Sequence, residues 1–399
     1  MVSPPAPVKK VLVPITAGTE PVEACVPIDV LRRAGADVTV AAAGGGDADD
    51  GLLVVEVMYG VKIVADATIA DCADASYDLV ALPGGVPGAA NLGGCAALES
   101  IVRRQALRGG LYAAICAAPP LALGRWGLLN GVKATAHPAF VEEFPAGVTA
   151  VDATVVVDGK VVTGSGPAPA MEFALALVEQ LYGKDKADQI AKPMLVRYEP
   201  GYTFKEHNPV QWQCSGTRPK VLIPLANGSE EMESITIIDA LRRANADVVV
   251  ASAEDGVEVV GRYGMRIVAD ALLDAAAADQ QFDLIIVPGG MPGAEKLVAL
   301  LKKQAAANKP YGAIGAATAQ VLEPHGLLKG KKAATCASMV AGLLADGGGE
   351  REEDSRVVVD GNVITSRSTG TAMEFAVAAV EKLMGREAAR EAAEGLLFV

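Results

Sequence analysis

Val11-Leu12-Val13-Pro14-Ile15 returns 210 residues later as Val221-Leu222-Ile223-Pro224-Leu225, and the same spacing carries Asp29-Val30-Leu31-Arg32-Arg33-Ala34 onto Asp239-Ala240-Leu241-Arg242-Arg243-Ala244. Tyr59-Gly60 matches Tyr263-Gly264, Pro83-Gly84-Gly85-Val86-Pro87-Gly88-Ala89 matches Pro288-Gly289-Gly290-Met291-Pro292-Gly293-Ala294, and Met171-Glu172-Phe173 matches Met373-Glu374-Phe375. The order never changes, while the offset slips from 210 to 205 at Pro83 and 202 at Met171, as loop insertions and deletions do in a duplicated domain. Residues 9–198 and 218–399 are therefore read as two copies of one domain. Residues 199–217, polar, aromatic and without helical or strand period, are read as an ordered or semi-ordered linker.

Each copy reads as α/β. Apolar runs over 37–41, 77–82 and 111–115 alternate with helical patterns such as 22–34, which Gly35 closes. Continuous apolar strands separated by helices imply a mostly parallel sheet covered on both faces, with ligands beyond the carboxyl ends of the strands. Pro14 and Pro224 conflict with a central first strand unless each lies near the strand's end. The composition agrees, for 51% of the 399 residues are hydrophobic but only 4% aromatic.

A formal net charge of −13 argues against DNA or an anionic membrane as partner, since both require a basic patch. The longest uncharged stretch, 79–98, carries five glycines and two prolines, and so reads as strand and loop. Residues 1–7 show neither a secretory apolar core nor a transit pattern. A cytosolic location, nuclear included, is the expectation, although a processed organellar form would look the same. Six cysteines without CxxC pairing or histidine at ligand spacing read as reduced thiols and no metal site.

Chemistry gathers in the first copy. Leu111 to Ile115 runs directly into Cys116, and then through Ala117-Ala118-Pro119-Pro120 into a helical pattern. A residue on so tight a strand-to-helix turn stands above the sheet, with the Ala117 N–H directed at whatever it attacks. The helix start is expected to lower the thiol pKa. A small buried core thiol is the alternative. Gly84 and Gly85 follow another strand and let backbone amides approach a ligand, as half of an oxyanion hole, although a tight turn explains them equally. The segment lacks the lysine of a phosphate loop. Glu20 and Glu23 open the helix after the first strand; either is ordinary first-turn acid, but Glu23 faces inward by helical period and could shuttle protons for Cys116. His137, one of three histidines, also follows a strand, and a Cys and a His so placed are the arrangement of thiol enzymes. Gly166-Pro167 reads as a further rim turn, whereas His207 and His325 suggest no metal cluster with Cys116.

Taken together, Ala113-Ala114-Ile115-Cys116-Ala117-Ala118-Pro119, Gly18-x-Glu20-x-x-Glu23, Asp29-Val30-Leu31-Arg32-Arg33-Ala34-Gly35, Leu82-Pro83-Gly84-Gly85, Thr135-Ala136-His137-Pro138 and Ser165-Gly166-Pro167 resemble the DJ-one/PfpI superfamily over nearly the whole chain. The likeness is greatest to its tandem plant-type branch, linked to glutathione-independent glyoxalase (glyoxalase III) activity. The resemblance implies two flavodoxin-like domains. It implies Cys116 as nucleophile, Glu23 as the carboxyl that hydrogen-bonds it and moves protons, His137 as assistant, and the N–H groups of Gly85 and Ala117 as oxyanion donors, with Gly84 and Glu20 in the substrate site. It further implies a small α-oxoaldehyde substrate and a lyase of the lactate dehydratase class. Oxidation of the aldehyde is balanced by reduction of the ketone, so no cofactor is implied.

Two departures stand out. Ser165 occupies a place where animal relatives carry Arg, which lowers the charge at the rim. In the second copy Glu233 and Gly289-Gly290 are kept, but Gly315 stands at the nucleophile position and Cys336 at that of His137. The second copy is expected to be silent toward glyoxals and to pack against the first as an intramolecular pseudo-dimer in a monomeric chain. Deglycase action on early methylglyoxal adducts and a redox-sensing holdase based on oxidised Cys116 are the alternatives, and peptidase activity ranks below both.

Overall fold

Strand formation in this chain is driven by short buried runs. Val11 to Ile15, Leu79 to Leu82 and Leu111 to Ile115 are buried throughout, and each large aliphatic side chain so buried contributes about 1.5–3 kcal/mol. The computed structural model describes residues 8–44, 47–49, 52–278, 281–290, 295–339, 350–352 and 354–399. They fall into two units, Met1–Lys192 and Pro193–Val399. Of the repeat read from the sequence, Met291 to Ala294 lie outside the described residues.

The main sheet of the first unit comprises β1 (Lys10–Ile15), β2 (Asp37–Ala42), β3 (Ala67–Thr68), β4 (Leu79–Leu82), β5 (Leu111–Ile115), β6 (Val155–Asp158) and β7 (Val161–Gly164), in the order β6-β7-β5-β4-β1-β2-β3. Every neighbouring pair is parallel except the β6/β7 hairpin at the edge. Helices α1 (Pro21–Arg33), α2 (Gly88–Gly93), α3 (Ala96–Leu107), α4 (Ala170–Tyr182) and α5 (Lys184–Met194) follow the strands, with α1 packed on α4 and α3 on β4 and β5. Three short strands, Asp47–Asp49, Leu52–Glu56 and Lys62–Val64, pair antiparallel outside the main sheet.

Pro14 sits in a central strand without disrupting it. β1 pairs with β4 only at Val11 and Leu12, so Pro14, two residues further on, faces no ladder on that side. Pro224 is excused identically, since its strand pairs with the corresponding neighbour only at Val221 and Leu222.

The second unit repeats the plan with β8 (Lys205–His207), β9 (Lys220–Leu225), β10 (Asp247–Ser252), β11 (Ala271–Leu272), β12 (Leu284–Val287), β13 (Tyr311–Ile314), β14 (Val357–Asp360) and β15 (Val363–Ser366), ordered β8-β14-β15-β13-β12-β9-β10-β11. Its helices are α6 (Glu231–Arg243), α7 (Leu273–Ala278), α8 (Glu295–Ala306), α9 (Ala372–Met384) and α10 (Arg386–Gly395). One strand is extra. The stretch 199–217 was expected to lack strand period, yet Lys205–His207 runs parallel to β14 as the edge of the second sheet. Three residues are too few for an alternation to register, and the strand exists because β14 offers it an open edge.

Candidate active site

The residues expected to act converge because three strands end side by side. β1 leads into α1, which opens with Glu20 as its N-cap and Glu23 in its first turn. β4 leads into Gly84-Gly85, and β5 into Cys116. Cys116 has φ 66°, a left-handed conformation that costs a side-chain-bearing residue about 1–2 kcal/mol. The elbow is held there from two sides: the Cys116 N–H donates to the Gly164 carbonyl at 2.9 Å, and the His137 N–H donates to the Cys116 carbonyl at 2.9 Å. The helical pattern read after the elbow is a π-helix, Pro119–Gly124.

Cys116 is buried, 7% exposed. Its sulfur shares a hydrogen bond with Glu23 and receives one from the Gly85 N–H. The Glu23 carboxylate is itself buried, and its Oε2 accepts the Gly84 N–H at 3.0 Å. Gly84 has no alternative: a Cβ there would lie 2.6 Å from both Cys116 Cβ and Glu23 Oε2. Every member of this cluster is thus seated by another.

The electrostatics correct one expectation. The helix start was expected to lower the thiol pKa, but burial, the Glu23 charge and the Glu23 hydrogen bond push Cys116 well above the usual thiol range, and the Gly85 N–H only partly opposes them. A carboxylate and a thiolate in contact inside a protein do not both ionise, so Cys116 and Glu23 share one proton. Glu20, which the resemblance places in the substrate site, lies close enough for its charge to act on Cys116. It is buried, its Oε2 accepts the Glu23 N–H at 2.6 Å, and it thereby caps α1 and fixes the turn that carries Glu23.

His137 is half-buried at the head of a short 3-10 turn, Pro138–Glu143. Its Nδ1 accepts the Ala139 N–H at 3.2 Å, so in the neutral ring Nε2 carries the hydrogen and acts as donor. Ala117 follows the elbow, fully buried, and Ser165 is nearly buried with its N–H on the Thr154 carbonyl. Gly166 and Pro167 bend the chain into a turn over 167–170, closed by the Ala170 N–H on the Pro167 carbonyl. Residue types gave no sign of the Gly84 bond to Glu23 or of the buried Thr19, whose Oγ1 accepts the Thr16 N–H at 2.9 Å and tightens the turn into α1. A Gly-Thr-Glu between strand and helix was the available hint.

The DJ-1/PfpI family model matches residues 9–180 and again 219–382. The chain belongs to this family. It is 51% identical over 387 residues to "Protein DJ-1 homolog B" of Arabidopsis thaliana, covering 95% of this chain and 86% of that protein. It is 49% identical to "Protein DJ-1 homolog A" of the same plant, covering 98% of each. A third relative, "Glutathione-independent glyoxalase DJR-1.2" of Caenorhabditis elegans, is 33% identical over 176 residues, 44% of this chain and 89% of that protein.

The second DJ-1/PfpI unit keeps the frame and lacks the sulfur. Glu233 Oε2 accepts the Gly289 N–H at 2.8 Å, as Glu23 does from Gly84. Gly315 has φ 63°, the elbow conformation, relaxed because no side chain is present. Its carbonyl accepts the Thr335 hydroxyl at 2.9 Å, and Cys336, next in sequence, is half-exposed with its sulfur 3.5 Å from the Ser338 hydroxyl. No helix among the described residues is long and apolar enough to cross a membrane.

Proposed function

We propose that the first unit converts methylglyoxal and glyoxal to lactate and glycolate without glutathione. The observation that carries this reading is a buried sulfur in hydrogen-bond contact with a buried carboxylate, with the Gly85 N–H on the sulfur. It is supported by the nematode relative, which is named a glutathione-independent glyoxalase.

The sulfur of Cys116 adds to the aldehyde carbon while its proton passes to Glu23, and the resulting oxyanion is met by backbone N–H groups and takes up a proton to give the hemithioacetal. Glu23, again a carboxylate, removes the hydrogen from that carbon. The enediol so formed is reprotonated on the former ketone carbon, giving a 2-hydroxyacyl thioester. The first carbon loses two electrons and the second gains them. Water then cleaves the thioester and restores the thiol. His137 Nε2–H donates to the substrate oxygens rather than accepting the first proton. A sulfur this enclosed favours a small free aldehyde over an adduct on a protein surface. The second unit, without a nucleophile, forms no hemithioacetal.

The test is lactate formation from methylglyoxal, without glutathione, by the wild-type chain, Cys116→Ala and Glu23→Gln. Both variants should fall by roughly 100- to 10,000-fold; equal rates in all three end the reading.

A further inference from the structure

The two units differ at one edge. In the second, the segment Tyr202 to Cys214 lies along β14 and α9. β8 pairs with β14 in parallel, and the Gly361 N–H donates to the His207 carbonyl at 2.9 Å. The Asn208 amide donates to Asp360 Oδ1 at 2.9 Å, and the buried Trp212 indole to the Gly361 carbonyl at 2.9 Å. On the helix, Tyr202 bonds Glu381, the Cys214 thiol donates to the Leu383 carbonyl at 3.3 Å, and Lys382 meets Glu206 at 2.5 Å with its ammonium 5.7 Å from the Trp212 ring centre.

The first unit retains nearly every group that this segment uses. Val155-Val156-Val157-Asp158-Gly159 repeats Val357-Val358-Val359-Asp360-Gly361, and Glu179-Gln180-Leu181 repeats Glu381-Lys382-Leu383, all 202 residues apart. Asp158 Oδ2 accepts the Lys133 N–H at 2.8 Å as Asp360 Oδ2 accepts that of Lys332 at 2.8 Å. Yet among the described residues no strand pairs with the outer side of β6. Val359 is fully buried, whereas Val157 is 44% exposed, and Glu179 and Gln180 are exposed. A run of three valines on an open edge is what sheets ordinarily avoid unless something covers it.

We propose that β6 and the adjoining end of α4 form a docking strip for an extended peptide from another polypeptide, which adds to β6 in parallel and seats an aromatic ring against Gly159. Its chemistry follows from the exchanges between copies. Gln180 stands in place of Lys382, the partner of Glu206, so an acid at that point of the peptide loses its cation beside the exposed Glu179. The strip therefore takes a neutral or basic strand, and the net charge of −13 adds to that preference.

The test uses the full chain and labelled synthetic peptides with the sequence of residues 202–214, followed by fluorescence anisotropy. The peptide carrying Glu206→Lys should bind more tightly than the unaltered one. N-methylation of its strand amides, Trp212→Ala in the peptide, or Val157→Asp in the chain should each weaken binding roughly tenfold or more. Gln180→Lys in the chain should reverse the order of the two peptides, by about three- to tenfold. Absence of binding, or binding indifferent to N-methylation and to Val157→Asp and Gln180→Lys, overturns the proposal, because the peptide then sits elsewhere, exchange with the chain's own Tyr202–Cys214 segment included. A dimer of the free chain that Val157→Asp dissolves overturns it also, since a second copy would then be the occupant.

Discussion

At Cys116 strain, burial and charge meet in one residue. The left-handed backbone lifts the sulfur out of the strand line, the Gly84-Gly85 turn and α1 close around it, and Glu23 supplies the place for its proton. One consequence is a pH dependence of stability. In the unfolded chain the thiol titrates near ~8.5, while in the fold the Cys116–Glu23 pair keeps its single proton to higher pH. Above that value the unfolded state binds fewer protons than the fold, which by linkage removes stability as pH rises, by about 1.4 kcal/mol per unit. Cys116→Ala should lack this slope. Urea unfolding of both proteins between neutral pH and pH 10 measures it, and parallel curves would show that no proton is retained by the pair. Gly84→Ala is expected to abolish turnover even though it keeps every reactive group, because its methyl occupies the contact between Cys116 and Glu23; activity within tenfold of wild type would mean that the turn yields.

At the scale of elements, α1 and its copy α6 share an inward glutamate and an Asp/Arg pair, and the reason is divided. Glu20 and Glu23 belong to the site, but Asp29-x-x-x-Arg33 and Asp239-x-x-x-Arg243 are ion pairs one turn apart with wholly buried carboxylates. Burial raises Asp239 to about 6 against the pull of Arg243. Removing the cation alone strands the carboxyl, so Arg243→Ala should destabilise the second unit by about 3–5 kcal/mol, with Asp239→Leu combined with Arg243→Met recovering most of it. Calorimetry checks both; a loss below 1 kcal/mol for the single variant would mean that the acid is solvated. The π form of the helix after the elbow and the three-residue strand β8 were not legible, since neither has a period long enough to stand out from its neighbours.

For the molecule as a whole, duplication has kept one frame in both copies and the elbow sulfur in only one. Glu233, Gly289 and the φ of Gly315 preserve the geometry that Cys116 needs, without the sulfur. Glu233→Gln should accordingly leave the methylglyoxal rate within twofold of wild type. Gly315→Cys in a Cys116→Ala background should not restore it, because a Cβ at Gly315 comes within 2.9 Å of Glu233 Oε1. Lactate assays on both variants decide the point, and turnover by the Gly315→Cys chain would show the second frame to be competent.

The repeat, the α/β alternation and the identities of Cys116, Glu23, Gly85 and His137 were open to reading from the residues alone, because periodicity and turn chemistry are local and each of these residues ends a strand or starts a helix. Only the tertiary structure decided how they are set against one another. Glu20 became a helix cap, the thiol pKa rose where a helix start alone would lower it, and a stretch read as linker became a sheet edge. Desolvation, proton sharing and edge pairing depend on what lies across space, and chain order does not record that.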